Sequence, residues 1–160
     1  AAVVTGLTYG TTAGQVSNVG AYAINGSGGT ATNYDFAYVP GTLTVTKALL
    51  TVTADNKTRT YGAANPALTG TITGFKGTDT DAVVTGLSYA TVATQASNVG
   101  AYAINASGGV ATNYDFAYVP GTLTVTKALL TVTADNKTRT YGAANPTLTG
   151  TISGLVNGDA

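Results

Sequence analysis

Apolar and polar residues alternate along most of the chain, and the phase of this alternation changes at residues 47–49. Before that point the apolar residues Leu43 and Val45 occupy odd positions, whereas after it Leu50 and Val52 occupy even positions. Because successive side chains of a strand point to opposite faces, one regular strand could not place both pairs in the same core. The pattern therefore predicts that one strand ends just before this point and that another begins just after it.

The whole pattern is repeated after 80 residues. Residues 1–80 align with residues 81–160 without a gap and are identical at 65 of 80 positions. A repeat of this kind dictates the architecture, because each copy is one structural unit. The phase change marks the boundary between units. It predicts three pieces: residues 1–47 as the C-terminal part of one repeat unit, residues 48–127 as one complete unit, and residues 128–160 as the N-terminal part of the next.

Short strands separated by turn residues account for the complete unit. Alternating apolar residues with many Thr, Val and Tyr predict strands near residues 49–60, 67–73, 83–91, 100–105, 113–118 and 122–126. The sequence YGAANP at residues 61–66 predicts a turn, and residues 74–81 predict a loop. Val119-Pro120-Gly121 predicts a type II turn, in which glycine accepts a positive φ.

Helical periodicity is missing from this pattern, since no window of about 11 residues or more carries the apolar stripe typical of a helix. The 32 Thr and 10 Tyr residues favour strands, and the 21 Gly residues favour turns. We therefore predict an all-β fold. In detail, we expect tandem small β-sandwich repeats of immunoglobulin-like type, 80 residues long, joined by short connectors into an extended rod.

Composition argues against several kinds of function. Seven Lys and Arg residues balance seven Asp residues, so no field of one sign would collect nucleic acid. No apolar run approaches the roughly 18 to 20 residues needed to cross a bilayer, so membrane insertion is not expected. The chain has no His, no Cys and no nucleophile paired with a base, so we expect no enzyme activity. It begins Ala-Ala-Val-Val without an initiator Met or a secretory signal, which predicts an internal piece of a longer protein.

Three segments resemble the MBG repeats of long bacterial surface proteins, many of them haemagglutinin-like adhesins. The segments are TYGAANPALTGTITGF, NVGAYAINASGG and NYDFAYVPGTLTVTKALLTVTADNK. The resemblance covers nearly the whole chain and includes the Tyr-Gly-x-x-Asn-Pro turn at Tyr61 and Tyr141 and the Asn-Val-Gly-x-Tyr strand at Asn98. It implies an extracellular location at the bacterial cell surface, in an array that presents or supports a binding region located elsewhere.

Asp79 and Asp81 are candidate calcium ligands in the loop 74–81, together with Asp159 in the matching loop of the next unit. Calcium takes roughly six to eight oxygen ligands, and a solvated turn is the alternative interpretation of these residues. Lys57 with Asn65, or Lys47 with a nearby Asn, is a candidate isopeptide pair, although solvated lysines explain the same residues. No other cofactor is indicated.

Two further features have a functional and a structural interpretation. The alternating Thr residues could present a hydroxyl ladder, as an ice-binding surface does, or form the ordinary outer face of a sheet. The aromatic residues could line a ligand surface, but we expect most of them to pack in the core. They are Tyr22, Tyr34, Phe36, Tyr38, Tyr102, Tyr114, Phe116 and Tyr118.

Two functions fit these features. The first is a stalk or fibre segment of a repetitive bacterial cell-surface adhesin, which extends a distal binding region from the cell. The second is an adhesive module that recognises a glycan or a protein through the loops 74–81 and 106–110. The expected partners are neighbouring repeat units of the same protein. Residues 128–160 of one chain could also complete residues 1–47 of another by head-to-tail assembly, since open sheet edges recruit partners.

Overall fold

Twelve β-strands form the regular structure of the chain in a computed structural model, which describes residues 3–160. No α-helix occurs among these residues, and the all-β prediction is confirmed. The strands are β1 Thr5–Thr11, β2 Gly20–Thr30, β3 Gly41–Val45, β4 Ala48–Ala54, β5 Lys57–Thr60, β6 Gly70–Thr73, β7 Ser88–Thr91, β8 Gly100–Ser107, β9 Tyr114–Val119, β10 Gly121–Thr126, β11 Thr131–Ala134 and β12 Gly150–Ser153.

The strands form four small sheets. Two of these sheets take all their strands from residues 48–126, in the orders β6-β4-β9 and β5-β10-β8-β7. In the second sheet β10 pairs with β8 in an antiparallel sense and with β5 in a parallel sense, with Leu123 beside Lys57. The strands β1-β2-β3 form an antiparallel sheet from the first residues, and β11 pairs with β12 near the end of the chain.

The chain divides into two compact units. One contains the chain up to Val52 together with Ile72–Leu87 and Gly108–Ala117, and the other contains Thr53–Thr71, Ser88–Ser107 and Tyr118–Ala160. These units follow from packing, whereas the three predicted pieces follow from sequence repetition. The repeat boundaries near residues 47 and 127 therefore stay a prediction.

Each unit has its own apolar cluster. In the first unit Leu50, Ala111 and Tyr114 are buried together, with Ile72 and Phe75 packed against them. In the second unit the clustered apolar side chains come from β4, β8 and β10 and from the segment before β8. They are Ala54, Ala93, Ile104 and Leu123. Among residues 3–160, every buried apolar side chain lies between positions 50 and 125.

Identical sequences adopt different structures in this chain. Tyr114–Val119 form β9 beside β4, whereas residues 34–39, which have the same sequence, lie outside the strands. Lys57–Thr60 form β5 beside β10, whereas the identical residues 137–140 do not form a strand. Since the local sequence is the same, the presence of a partner strand decides the outcome and intrinsic propensity does not.

The predicted strand 49–60 is in fact two strands, because the chain changes sheets at Asp55 and Asn56. β4 belongs to the sheet with β6 and β9, and β5 belongs to the sheet with β10. The amide of Asp55 donates to the carbonyl of Thr69 at 2.8 Å, and Asn56 Oδ1 accepts from the amide of Thr122 at 2.8 Å. These bonds satisfy the backbone where the chain leaves one ladder for the other.

Two other predicted strands are too long. The strand predicted at 67–73 is formed only at Gly70–Thr73. The strand predicted at 83–91 is formed only at Ser88–Thr91. A 3₁₀ turn occupies Asp81–Val83, where Thr80 caps the turn by accepting a bond from the amide of Ala82. Local side-chain capping replaces strand pairing in this segment.

The prediction of a positive φ at Gly121 is wrong. Gly121 is outside the set of residues with positive φ and is the first residue of β10. A Cβ atom there would lie 2.6 Å from the carbonyl oxygen of Ala54 and 2.7 Å from that of Asp55. Glycine is needed at this corner because two backbones approach closely, and not because of the turn type.

The paired leucines Leu50 and Leu130 provide a test of this architecture. Leu50 is 0% exposed and Leu130 is 49% exposed, although both stand in the same sequence ALLTVTA. We expect Leu50→Ala to lower the free energy of unfolding by about 2 to 5 kcal/mol, because it removes a fully buried side chain. Leu130→Ala should change it by less than about 0.5 kcal/mol. Urea unfolding of both variants in dilute solution measures this, and equal losses would contradict the assignment of β4 to the core.

Candidate functional site

Arg59 on β5 is the only buried charged side chain among residues 3–160. Its Nε donates to Asn65 Oδ1 at 2.8 Å, and its guanidinium also donates to the carbonyl of Thr94. Asn65 Nδ2 in turn donates to the carbonyl of Ala93 at 2.6 Å. Because a buried charge is costly unless its donors are satisfied, this group ties the YGAANP turn to the segment before β8. We refer to it as the Arg59 clasp.

The Arg59 clasp was not predicted from the sequence. Arg59 lies in KTRT, which contains no apolar residue and therefore carries no alternation that predicts a buried face. A usable signal was that Arg59 and Asn65 both belong to the stretch that recurs unchanged as residues 123–146, in a chain of which only 9% is charged.

The Tyr-Gly turn that follows β5 contacts the segment 154–159. Gly62 has a φ of 83°, and its carbonyl accepts a bond from Gln95 Nε2 at 2.7 Å. A Cβ atom on Gly62 would lie 2.5 Å from the side chain of Val156. Tyr61 Oη donates to Asp159 Oδ1 at 3.4 Å. The turn thus packs against residues that correspond to Lys76 and Asp79 of the preceding sequence copy.

An apolar groove adjoins this contact. It has a volume of about 260 Å³, and its lining includes Tyr61, Val99, Leu130, Leu155, Val156 and Asp159. Tyr141, which is the copy of Tyr61, is fully exposed at 104%. The Tyr-Gly turn is therefore covered by neighbouring residues in one sequence copy and open in the other.

Asn113 forms a second contact between sequence copies, within the other compact unit. Its Oδ1 accepts from the amide of Val19 at 3.0 Å, and its Nδ2 donates to Asn18 Oδ1 at 2.8 Å. Its carbonyl accepts from the amide of Ala48 at 3.0 Å. Asn113 therefore joins residues on both sides of the predicted boundary at residue 47.

The acidic loop 74–81 is held by Tyr114. The hydroxyl of Tyr114 donates to Asp79 Oδ2 at 2.6 Å and accepts from the amide of Lys76 at 2.9 Å. The ring of Phe75 packs edge-on against Tyr114, with centroids 6.0 Å apart. The hydrogen bond to Asp79, together with burial, raises the pKa of Tyr114. The neutral hydroxyl therefore stabilises the fold below the usual tyrosine pKa, and this contribution is lost as the pH rises through the higher folded pKa.

The three candidate calcium ligands do not lie in one compact unit. Asp79 and Asp81 are in the first unit, and Asp159 is in the second. Within residues 3–160 no group of three or more His, Cys, Asp or Glu side chains could hold a metal ion. Asp79 and Asp159 each accept a bond from a tyrosine hydroxyl, Tyr114 and Tyr61 respectively. Each of these two carboxylates thus has a structural contact, and calcium binding stays a prediction without a formed cluster to support it.

Lys57 and Asn65, the candidate isopeptide pair, each have polar contacts with other residues. Asn65 bonds to Arg59 and to the carbonyl of Ala93, while Lys57 Nζ lies 3.5 Å from Asp55 Oδ2. A hydrogen bond from Thr69 is the largest influence on the pKa of Asp55 and lowers it; desolvation opposes this shift, and the nearby Lys57 adds to it. The carboxylate form of Asp55 is therefore stabilised, and that stabilisation is lost as the pH falls through the lowered pKa.

The aromatic residues divide between core and surface according to sequence copy. Tyr114 is buried, and Tyr89 and Tyr102 pack against the cluster of the second unit. Tyr34, the copy of Tyr114, is 65% exposed. The expectation of core packing holds for Tyr114 and, in part, for Tyr89 and Tyr102, whereas Tyr118 is 39% exposed and Tyr34 is more exposed still.

The sequence matches the MBG domain family of the YGX type over residues 2–44, 50–124 and 130–160. The chain therefore belongs to the MBG domain family, as the resemblance of its motifs predicts. MBG domains are repeat domains that occur in surface proteins. No curated protein and no solved structure matches the chain. No helix among residues 3–160 is long and apolar enough to span a membrane.

The contact between Gly62 and Val156 can be tested by overpacking. Gly62→Ala should lower the free energy of unfolding by about 1 to 3 kcal/mol, because the new methyl group meets the Val156 side chain and the backbone has a positive φ. Adding Val156→Ala should recover part of this loss by making room, which a double-mutant cycle measures. Gly142→Ala is the control, since Gly142 has the same φ of 83° with nothing within 4 Å. Equal losses in Gly62→Ala with and without Val156→Ala would contradict the contact.

Proposed function

We propose that the chain is a structural stalk segment of a bacterial cell-surface adhesin, located outside the cell. In this proposal, tandem immunoglobulin-like β-sandwich repeats form an extended rod that holds a distal binding region away from the cell. The observation that carries this proposal is the contact that the Tyr-Gly turn makes. The motif after which the family type is named packs on Val156 and Asp159 of the adjoining sequence copy, which is a contact between repeats.

The proposed repeat unit is residues 48–127. Every buried apolar side chain among residues 3–160 lies inside this range. The family matches are interrupted at residues 45–49 and 125–129, which include the proposed boundaries. Ala54 of β4 packs with Ile104 and Leu123 from the other sheet, which supports a sandwich arrangement of β6-β4-β9 and β5-β10-β8-β7.

Stiff junctions are a second part of the proposal. β3 ends at Val45 and β4 begins at Ala48, so only two residues connect successive units. So short a linker leaves little freedom for one repeat to swing about another. The bonds of Asn113 to Asn18 and Val19 restrict this freedom further. We infer that forces applied along the array pass from repeat to repeat with little bending.

The polar groups of loop 74–81 favour the stalk over direct ligand binding. A binding loop presents polar side chains to its ligand, whereas Asp79 and the amide of Lys76 are both bonded to Tyr114. We also propose that the chain has no enzyme activity and no nucleic-acid partner, since it has no His and no Cys, and its seven basic residues balance seven acidic ones.

Pulling the 160-residue chain by its ends, combined with a glycan array, tests the stalk proposal. We expect one main unfolding event that releases about 230 Å, from about 3.4 Å per extended residue of one repeat less its folded length of about 40 Å. The array should show no bound glycan. Glycan binding that is lost in Lys76→Val would instead support an adhesive loop, since valine is the residue at the matching position 156. An unfolding event twice as long would contradict the 48–127 unit.

A further inference from the structure

The first sheet of the chain has an open apolar groove. Its volume is about 410 Å³, and its lining includes Leu7, Tyr9, Ile24, Phe36 and Tyr38. Tyr9 is 73% exposed and Tyr38 is 46% exposed. These residues come from β1, β2 and the segment after β2, so the groove lies on the face of the sheet β1-β2-β3.

The middle of the chain holds a covered version of the same groove. Ile104, the copy of Ile24, is 0% exposed, and Leu123, the copy of Leu43, is also 0% exposed, whereas Leu43 is 38% exposed. Ala54 of β4 belongs to the same buried cluster as these two residues. The strand that covers the groove in the middle copy is therefore β4, with the sequence ALLTVTA.

The same heptapeptide is present a second time, and there it is uncovered. Residues 128–134 also read ALLTVTA, and in them Leu130 is 49% exposed and Val132 is 72% exposed. In β4 the matching residues Leu50 and Val52 are both 0% exposed. The chain thus has an apolar strand without a groove at one end and a groove without its strand at the other.

We propose that the groove of residues 3–47 binds residues 128–160 of a second copy of this chain. The sequence of this chain identifies the segment that fits the groove. Each buried side chain between positions 50 and 125 has an identical residue at the equivalent position of one of the two end pieces, except Ala106, which is Gly26 in the first piece. The assembled pair therefore repeats a core that this chain already forms within residues 48–127.

The backbone of the second copy is already arranged for this pairing. β11 and β12 are paired with Thr131 beside Ser153, which matches Thr51 beside Thr73 in the sheet β6-β4-β9. The free edge of β11 would meet residues 34–39, which have the sequence of β9. Residues 137–140 would then lie along β3, as β5 lies along β10. Main-chain pairing gives such strand addition its affinity, and apolar side chains in the groove give it specificity.

The position of the buried Arg59 also keeps its hydrogen-bond acceptors in the assembled pair. Arg139, the copy of Arg59, donates to the carbonyls of Thr140 and Ala143 within its own segment. Arg59 uses the carbonyl of Thr94, which corresponds to Gly14 in the first piece. Because the acceptor is a backbone oxygen, the change from Thr to Gly keeps it. Arg139 can therefore be buried in the assembled pair with its donors satisfied.

This pairing is head-to-tail and therefore open-ended. Each chain offers one groove and one strand at different surfaces, so the interface is heterologous and every added copy exposes the same two surfaces again. A neighbouring repeat of the same polypeptide would pair with these surfaces within one chain. A second copy pairs with them between chains. The 160-residue chain should accordingly grow into fibres as its concentration rises. This inference does not depend on the stalk proposal.

Adjacent leucines give a matched test of the strand. Light scattering of the whole chain across a concentration series should show growth that Leu130→Lys abolishes, because the copy Leu50 is buried with Ala111 and Tyr114, whose copies are Ala31 and Tyr34 of the first piece. Leu129→Lys is the control and should grow like the wild type. Leu129 is 84% exposed, and its copy Leu49 stays 57% exposed beside a covered groove. A wild-type chain that stays monomeric at all concentrations, or equal loss of growth in both variants, would overturn the proposal.

Mixing two blocked chains separates specific pairing from general aggregation. Leu130→Lys blocks the strand and leaves the groove, whereas Leu43→Lys blocks the groove and leaves the strand. Each variant alone should be monomeric, and an equimolar mixture should form a heterodimer that grows no further. This result holds even if Leu43→Lys unfolds its own first sheet, because only its strand is used. A mixture that stays monomeric, or one that aggregates without limit, would contradict the assigned surfaces.

Discussion

The buried core between positions 50 and 125 depends on strands from both ends of that range, and this constraint governs the rest of the structure. β4 and β5 stand at the start of residues 48–127 and β8 to β10 at the end, yet Ala54 packs with Ile104 and Leu123, and β5 pairs in parallel with β10. Neither end can bury its apolar face alone, so contacts far apart in sequence must form together. Leu130 and Tyr34 are exposed, although their copies Leu50 and Tyr114 are buried in this core.

Part of this architecture could be predicted from the sequence because it follows from local alternation. The change of phase at residues 47–49 predicts a strand break there, and β3 indeed ends at Val45 while β4 begins at Ala48. The strands β8, β9 and β10 lie within one or two residues of their predicted ends. The family resemblance rests on motifs in the same segments and is also confirmed.

Other features depend on tertiary pairing and have no local signal. The segment KTRT contains no apolar residue, and it forms β5 only because β10 lies beside it. Gly121 looks like a turn glycine in sequence, but the oxygen atoms of Ala54 and Asp55 require it. The Arg59 clasp and the Asn113 contacts join residues far apart in sequence, so local alternation does not predict them. The calcium candidates stay a prediction, since Asp79 and Asp81 lie in one compact unit and Asp159 in the other.

Hydrogen exchange of identical segments is the most direct test of strand completion. The amides of residues 115–119 should be protected well above those of residues 35–39, and those of residues 58–60 well above those of residues 138–140, in a dilute solution of the whole chain. The sequences in each pair are the same, so intrinsic exchange rates cancel and only pairing differs. Protection confined to the middle copy would support strand completion as the origin of the fold. Equal protection within each pair would contradict it.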